Sequence, residues 1–270
     1  LRKAAGERIF PVLLDPSLAL ELMGIKKSFG SLLVCQDINL RVKKGSIMSI
    51  LGPSGCGKTV TIKMIIGLLL PDAGSILFDT YDIAQFKSED EFLPIRKRIS
   101  MVFQGAALFD SMTVFENIAY PLVVQGGHSE SDIEDQVAHT LALVGLPDTA
   151  LKMPSELSGG MKKRIGLARA IITNPEVILY DEPTAGLDPI NTRRIVDLIM
   201  QLQERLSCTS LVVTHDIPAV EVMSDEVAFF YAGRVRKVGS FKEVQNSEDA
   251  IVRGFVNGDP SVLLTVQGSL

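Results

Sequence analysis

The sequence predicts an α/β fold, and three observations carry the prediction. After residue 150, apolar segments of strand length alternate with longer amphipathic ones, the pattern of a parallel sheet. A glycine-rich turn at residues 52–57 stands between an apolar run, 47–51, and a helical pattern that opens at Lys58. A second apolar run, 177–180, ends in Asp181 and Glu182, which places both acids at the carboxyl edge of such a sheet, where ligands of these folds bind.

Taken in order, residues 18–25 and 34–42 are short apolar segments bounded by Gly, Ser or charged side chains, and with 47–51 they predict an initial β-rich layer. Residues 58–69 predict a helix, 71–74 a turn through Pro71 and Gly74, and 75–78 a brief strand. From 113 to 145 the pattern is helical: Ile133, Val137, Leu141 and Val144 recur at spacings of three and four, and Ser129 with Asp132 forms a capping box. This stretch is the candidate helical subdomain. A helix over 158–172, a buried strand over 177–180, a long amphipathic helix over 189–206 and a strand over 210–214 follow. From Ser240 two short helices are expected, then an end rich in Gly, Pro and Ser that frays after about Gly258.

At 270 residues and 46% hydrophobic content, the chain can bury a large core as one domain or as a domain with a closely packed subdomain. A formal net charge of -5 argues against a protein whose main task is gripping nucleic acid, which demands a basic face. Cys35, Cys56 and Cys208 are widely spaced, with neither CxxC nor Cys/His clustering, so no disulfide framework or zinc site is suggested and a reducing compartment fits best. The longest apolar run, 62–70, is broken by Lys63 and Gly67 and stops at Pro71, far short of the roughly 20 residues that span a bilayer. Residues 1–7 lead into Pro11, Asp15 and Pro16 rather than into the apolar core of a signal peptide. The first residue is Leu1, consistent with a truncated or processed product.

Gly52-Pro53-Ser54-Gly55-Cys56-Gly57-Lys58-Thr59 satisfies the pattern G-x-x-x-x-G-K-[ST], and it sits where its mechanics need it, after a strand and opening a helix. The glycines let the backbone curl so that successive N–H groups and the helix N-terminus face a β-phosphate. Lys58 then neutralises β/γ oxygens and the Thr59 hydroxyl ligates magnesium. A glycine-rich turn that binds nothing is the competing reading, and the strand and helix flanks count against it. Cys56 lies at a helix N-terminus, where a thiol pKa tends to fall, although an unconstrained loop position explains it more simply.

In the second motif Asp181 can hold magnesium through its water shell, while Glu182 can orient and deprotonate an attacking water. Standing alone, 177–182 would read as a buried strand capped by solvated acids; beside the phosphate loop it does not. His215 follows the strand 210–214 directly and could donate to a γ-phosphate. His128 and His139 fall in the helical subdomain, so His215 is the histidine placed for chemistry.

Leu157-Ser158-Gly159-Gly160-Met161, leading into Lys162-Lys163-Arg164, resembles the signature motif of ABC ATPases, and the family pattern then falls into register over residues 20–235. Gln104 matches the Q-loop glutamine, Ala185 to Asp188 the D-loop, His215 the switch histidine, and Phe29 the aromatic that stacks on adenine. The resemblance implies an α/β P-loop NTPase of ABC ATPase type, a mixed sheet core with an antiparallel β layer and a helical subdomain at about 105–172. The ATPase domain would span 18–240 and a C-terminal helical tail 241–270.

It also implies a head-to-tail homodimer. Each ATP would lie between one subunit's loop, Gly52 to Thr59 with Val60, and the partner's Ser158, Gly159, Gly160 and Asp188. Glu182, His215 and Lys58 would be catalytic, and Thr59, Gln104 and Asp181 would hold Mg2+. A Ser-Gly-Gly turn feeding a helix N-terminus makes sense as a second anion-binding element, although an ordinary N-cap at Ser158 competes with that reading. Family members drive a transmembrane permease subunit through a groove near the Q-loop, so Gln104, Leu108, Phe109, Asp110 and Ser111 form the expected transmission region.

Met161 stands where Gln is usual, Phe29 where Tyr is usual, and Val60 where Ser or Thr often stands; none of these removes a catalytic group. Residues 107–111, 154–164 and 255–258 are similar to the ATPases that work with MCE-type lipid-binding proteins, the bacterial Mla-type phospholipid system and its chloroplast relative. That resemblance implies lipid transport, probed most directly by partners, at the cytoplasmic face of a bacterial inner membrane or the stromal side of a chloroplast envelope. The rival cargo is a small solute such as an amino acid, whose ATPases often carry a regulatory domain after the core; about 30 residues follow Gly239 here. A soluble ABC protein acting on nucleic acid would show two cassettes or a long coiled coil, and a catalytically dead subunit would lack Lys58, Glu182 or His215.

Overall fold

The computed structural model describes residues 14–259. The chain enters through β1 (Leu18–Phe29) and β2 (Leu32–Lys43), a long antiparallel hairpin turned at Gly30 and Ser31. Next come β3 (Ile47–Leu51), α1 (Lys58–Ile65), β4 (Ala73–Phe78), β5 (Tyr81–Asp82), α2 (Glu89–Arg96) and β6 (Ile99–Val102). A helical run follows: α3 (Val114–Gln125), α4 (Glu130–Leu143) and α5 (Gly159–Ile171). The chain continues through β7 (Val177–Asp181), α6 (Pro189–Leu206), β8 (Thr209–Val213), α7 (Ile217–Met223), β9 (Glu226–Tyr231), β10 (Arg234–Gly239), α8 (Phe241–Gln245) and α9 (Ala250–Val256).

The strands lie in the order β5-β4-β1-β2-β10-β9-β3-β8-β7-β6. The first four form an antiparallel layer, joined through the single parallel bridge Arg234 to Asp37 to a part in which β3, β6, β7, β8 and β9 run parallel. The predicted mixed sheet with its antiparallel layer is borne out. Every residue of β3, β7 and β8 is buried, as expected for parallel strands covered on both faces, and their apolar runs show no polar alternation. Alternate residues of β7 serve different cores: Ile178 and Tyr180 pack with Ile118, Ile165 and Ile199 of the helices, whereas Val177 and Leu179 pack with Ile62, Leu20 and Ile38.

Several expected elements change on folding. The strands 18–25 and 34–42 lengthen into β1 and β2, because cross-strand pairing carries the ladder past the apolar residues to Phe29 and Leu32. The helix expected over 58–69 stops at Ile65, where Gly67 turns with φ +73 beneath the Phe92 ring. The helical stretch 113–145 is two helices, parted at Gly126 and Gly127 with φ +69 and +83. Ser129 and Asp132 do form the expected capping box on α4. α2 and α7 carry Pro94 and Pro218, which masks their helical pattern, and β9 and β10 were not anticipated at all. α8 and α9 bear out the two short helices expected after Ser240, and they pack Phe241, Val244 and Val252 on Leu51 and Phe229. The expected fraying beyond Gly258 and the absence of a signal peptide concern 260–270 and 1–13, which lie outside the described residues.

One buried side chain fixes the loop ahead of α3. Asn117, fully buried, donates to the carbonyls of Phe109, Met112 and Thr113 at 3.1, 3.1 and 3.0 Å and accepts from the Phe109 N–H at 2.8 Å. Asn117→Ala would leave the Phe109 N–H and the Met112 carbonyl without these partners, while the Phe109 and Thr113 carbonyls keep backbone donors, and a loss of about 2–3 kcal/mol is expected, measured by chemical denaturation.

Candidate functional site

Three neighbouring parallel strands bring the site together. Ile50 of β3 and Asp181 of β7 both stand level with Val213 of β8, so the residues that follow each strand emerge at one edge of the sheet. β6 adds a fourth, Val102 being level with Tyr180, and Gln104 sits exposed in the turn just beyond it. Lys58, Asp181, Glu182 and His215 thereby converge, as the family resemblance implied.

The loop from Gly52 to Gly57 is shaped by close approach. A Cβ on Gly52, at φ +148, would stand 2.2 Å from the Phe230 carbonyl oxygen, and Gly57 at φ +102 has Cys35 Sγ 3.0 Å from the same position. Lys58 is 9% exposed and donates from Nζ to the carbonyls of Gly52 at 2.8 Å and Pro53 at 2.9 Å, so its ammonium lies inside the curl of the loop. Cys56 is buried, and burial pushes its thiol up, with the nearby Lys58 ammonium offsetting only part of the effect. This direction agrees with the simpler reading of Cys56 as an unconstrained loop position and not with a depressed thiol, because desolvation outweighs the helix terminus.

Thr59 Oγ1 donates to Asp181 Oδ1 at 2.7 Å. Asp181 is 7% exposed, and among the described residues no Lys, Arg or His pairs with its carboxylate. A hydroxyl and a buried carboxylate without a cationic partner fit a hard divalent ion such as Mg2+. Among the described residues no three His, Cys, Asp or Glu side chains gather into a metal group, so such an ion would draw its other ligands from phosphate and water.

Glu182 adopts φ +50, a left-handed conformation uncommon outside glycine. Its N–H donates to the Val213 carbonyl at 2.9 Å, and its own carbonyl accepts from the Ala185 N–H at 3.2 Å and from Lys163 Nζ at 3.3 Å. His215 Nδ1 comes within 2.9 Å of Glu182 Oε2 but out of line for a hydrogen bond, leaving that buried oxygen without a partner. The His215 side chain is 67% exposed and so faces the space above the loop's edge of the sheet.

Ser158 caps α5, accepting from the Met161 N–H at 3.3 Å, and remains exposed with Gly159. Gly160 packs on Asn191, whose backbone N–H is capped by Asp188 at 3.0 Å. Among the described residues no hydrogen bond or ion pair joins Ser158, Gly159, Gly160 or Asp188 to Lys58, Asp181, Glu182 or His215. Phe29 ends β1, 45% exposed, with the Lys27 ammonium 5.6 Å from its ring centre. Beside the loop lies a recess of about 300 Å3 lined by Leu33, Val34, Ser54, Cys56 and Tyr231; Val60 and Phe29 do not line it. The sequence reading did not single out Val34 or Tyr231, which no local pattern marks, and it quoted Lys163 only within the run Lys162-Lys163-Arg164 without giving it a role.

The model of the ABC transporter family matches residues 35–185. The chain belongs to that family. This ABC ATPase is 40% identical over 240 residues to the intermembrane phospholipid transport system ATP-binding protein MlaF of Haemophilus influenzae, covering 89% of the chain and 90% of the relative. It is also 40% identical over 240 residues to the probable ribonucleotide transport ATP-binding protein mkl of Mycobacterium tuberculosis, covering 89% of the chain and 67% of the relative. Among solved structures, a dimeric post-hydrolysis state of the ATP-binding cassette MJ0796 bound to ADP and Pi superposes with a TM-score of 0.76 at 30% identity, covering 82% of the chain and 98% of that cassette. The ABC ATPase is thus an ATP-hydrolysing subunit of a transporter, and it carries the nucleotide-binding fold of its neighbours.

Proposed function

We propose that this ABC ATPase binds Mg-ATP on the loop 52–59, hydrolyses it with Glu182 as base in a head-to-tail homodimer, and so powers lipid transport, most simply of phospholipid, through a membrane permease and an MCE-type lipid-binding partner. The single observation carrying the reading is the convergence of Lys58, the Thr59–Asp181 pair and the Glu182–His215 pair at the carboxyl edge of β3, β8 and β7. The ATPase unit would comprise 18–240, with 241–270 as its tail.

The residues divide the work. Backbone N–H groups of Gly55 to Thr59 cradle the phosphates, and Lys58 swings from two loop carbonyls to the β/γ oxygens. Thr59, Asp181 and Gln104 would hold magnesium, which would supply positive charge against the phosphates. Glu182 takes the proton of the attacking water on its carboxylate, and His215, whose Nδ1 lies 2.9 Å from Glu182 Oε2, orients the γ-phosphate from the side. Ser158, Gly159, Gly160 and Asp188, exposed or without cis contacts to this cluster, would meet the ATP of a second copy. Near Gln104 a groove of about 590 Å3, lined by residues that include Leu68, Met101, Phe109, Tyr120, Arg96 and Arg169, offers the permease an apolar seat with two cations. Of the expected transmission residues, Phe109 lines it; Gln104, Leu108, Asp110 and Ser111 do not. No helix among the described residues is long and apolar enough to cross a membrane, which fits a peripheral subunit held through that groove at the cytoplasmic or stromal face.

Purification of the tagged chain from its native membrane in mild detergent tests the cargo. A multi-span permease, an MCE-domain protein and phospholipid are expected among the co-purifying species by mass spectrometry. A solute permease in their place would leave the ATPase intact and overturn the lipid assignment, in line with the relative named for ribonucleotide transport, to which the identity is the same.

A further inference from the structure

Lys163 spends a charge where the site does not visibly need one. It lies on α5, five residues after Ser158, and its half-buried stem shares a crevice with Phe103, Leu167, Tyr180, Pro183 and Ile195. Burial lowers its ammonium pKa, and among the described residues Glu182 is the charge that opposes that loss. Yet Nζ meets the Glu182 carbonyl at 3.3 Å instead of pairing directly with a carboxylate oxygen. A cation desolvated to hold one carbonyl oxygen is costly unless that carbonyl's position matters.

The carbonyl belongs to the residue whose backbone is in the left-handed region at φ +50. A conformation of this kind costs about 1–3 kcal/mol and persists only where its surroundings over-determine it. The Val213 carbonyl holds one side of Glu182, the Ala185 N–H and Lys163 the other, and of these three contacts Lys163 alone comes from the helical layer. We propose that Lys163 is a positioning residue for Glu182, clamping its backbone so that the carboxylate points at the water site only when α5 is docked against the β7 edge. The inference rests on Glu182 acting as the base. In it, α5 does two jobs: its first turn presents Ser158 to a second copy's nucleotide, and its second turn aligns the base of its own subunit. A shift of α5 on the sheet would then change hydrolysis without touching the phosphate cradle.

The test uses the full chain with three variants, reading single-turnover ATP hydrolysis, ATP affinity and thermal melting. Lys163→Met is expected to slow hydrolysis about tenfold or more with ATP affinity within about twofold and an unchanged melting temperature, and Lys163→Arg to recover hydrolysis to within about threefold of the parent. If the Met variant fails to fold, Lys163→Gln is read in its place against the same expectations. Parental hydrolysis in Lys163→Met, a parallel loss of affinity and melting temperature, or no recovery by Arg would each overturn the assignment. Glu182→Gln run alongside separates the two ideas: an inactive Glu182→Gln with a fully active Lys163→Met sinks only the positioning role, whereas an active Glu182→Gln sinks the base.

Discussion

Glu182→Gln is expected to cut ATP turnover by at least about a hundredfold while leaving ATP binding within about twofold of the parent. The amide keeps the shape of the side chain and disturbs neither the Val213 carbonyl contact nor the Lys163 contact, both of which engage the backbone. What it removes is the carboxylate's capacity to take a proton from water, on a side chain that His215 Nδ1 approaches to 2.9 Å. The phosphate cradle at residues 52–59 shares no side chain with Glu182, so ground-state binding should survive. With hydrolysis blocked and ATP retained, a closed dimer should accumulate, visible as an ATP-dependent doubling of mass by light scattering. Sustained multi-turnover hydrolysis in this variant would remove Glu182 from its role.

The opposite signature is expected for Lys58→Ala: ATP affinity falls on the order of tenfold to a hundredfold, before any chemical step. On the proposed reading Lys58 meets the β/γ-phosphates in ground and transition states alike, so its loss should weaken binding as well as turnover. The truncation also frees the Gly52 and Pro53 carbonyls, which Nζ holds at 2.8 and 2.9 Å, so the loop loses an internal brace as well as a charge. Equilibrium titration with a fluorescent ATP analogue reads the effect, and undiminished affinity would contradict the assignment. Together the two variants separate a group needed for binding from one needed for hydrolysis.

What the sequence determined by itself was whatever short-range physics encodes. The loop 52–59 was legible because glycines, Lys and Thr at fixed offsets make sense only between a strand and a helix, and β3 and α1 flank it as expected. The acids at the end of β7, the capping box at Ser129 and the cap at Ser158 were legible for the same reason, each depending on neighbours within a few residues. Tertiary structure alone decided the rest. That β8 lies between β3 and β7, bringing His215 to Glu182, follows from strand order, which local propensity does not encode. β9 and β10 escaped notice because their places are set by partners distant in the chain, and α2 because Pro94 conceals a helix whose Phe92 and Ile95 are held by the core. Lys163 is the clearest case: among the three basic residues Lys162, Lys163 and Arg164, the docking angle of α5 selects the one that reaches Glu182. Caps and phosphate loops are written in contacts a few residues long, whereas the alignment of a base is written in packing between elements that meet only after the chain has folded.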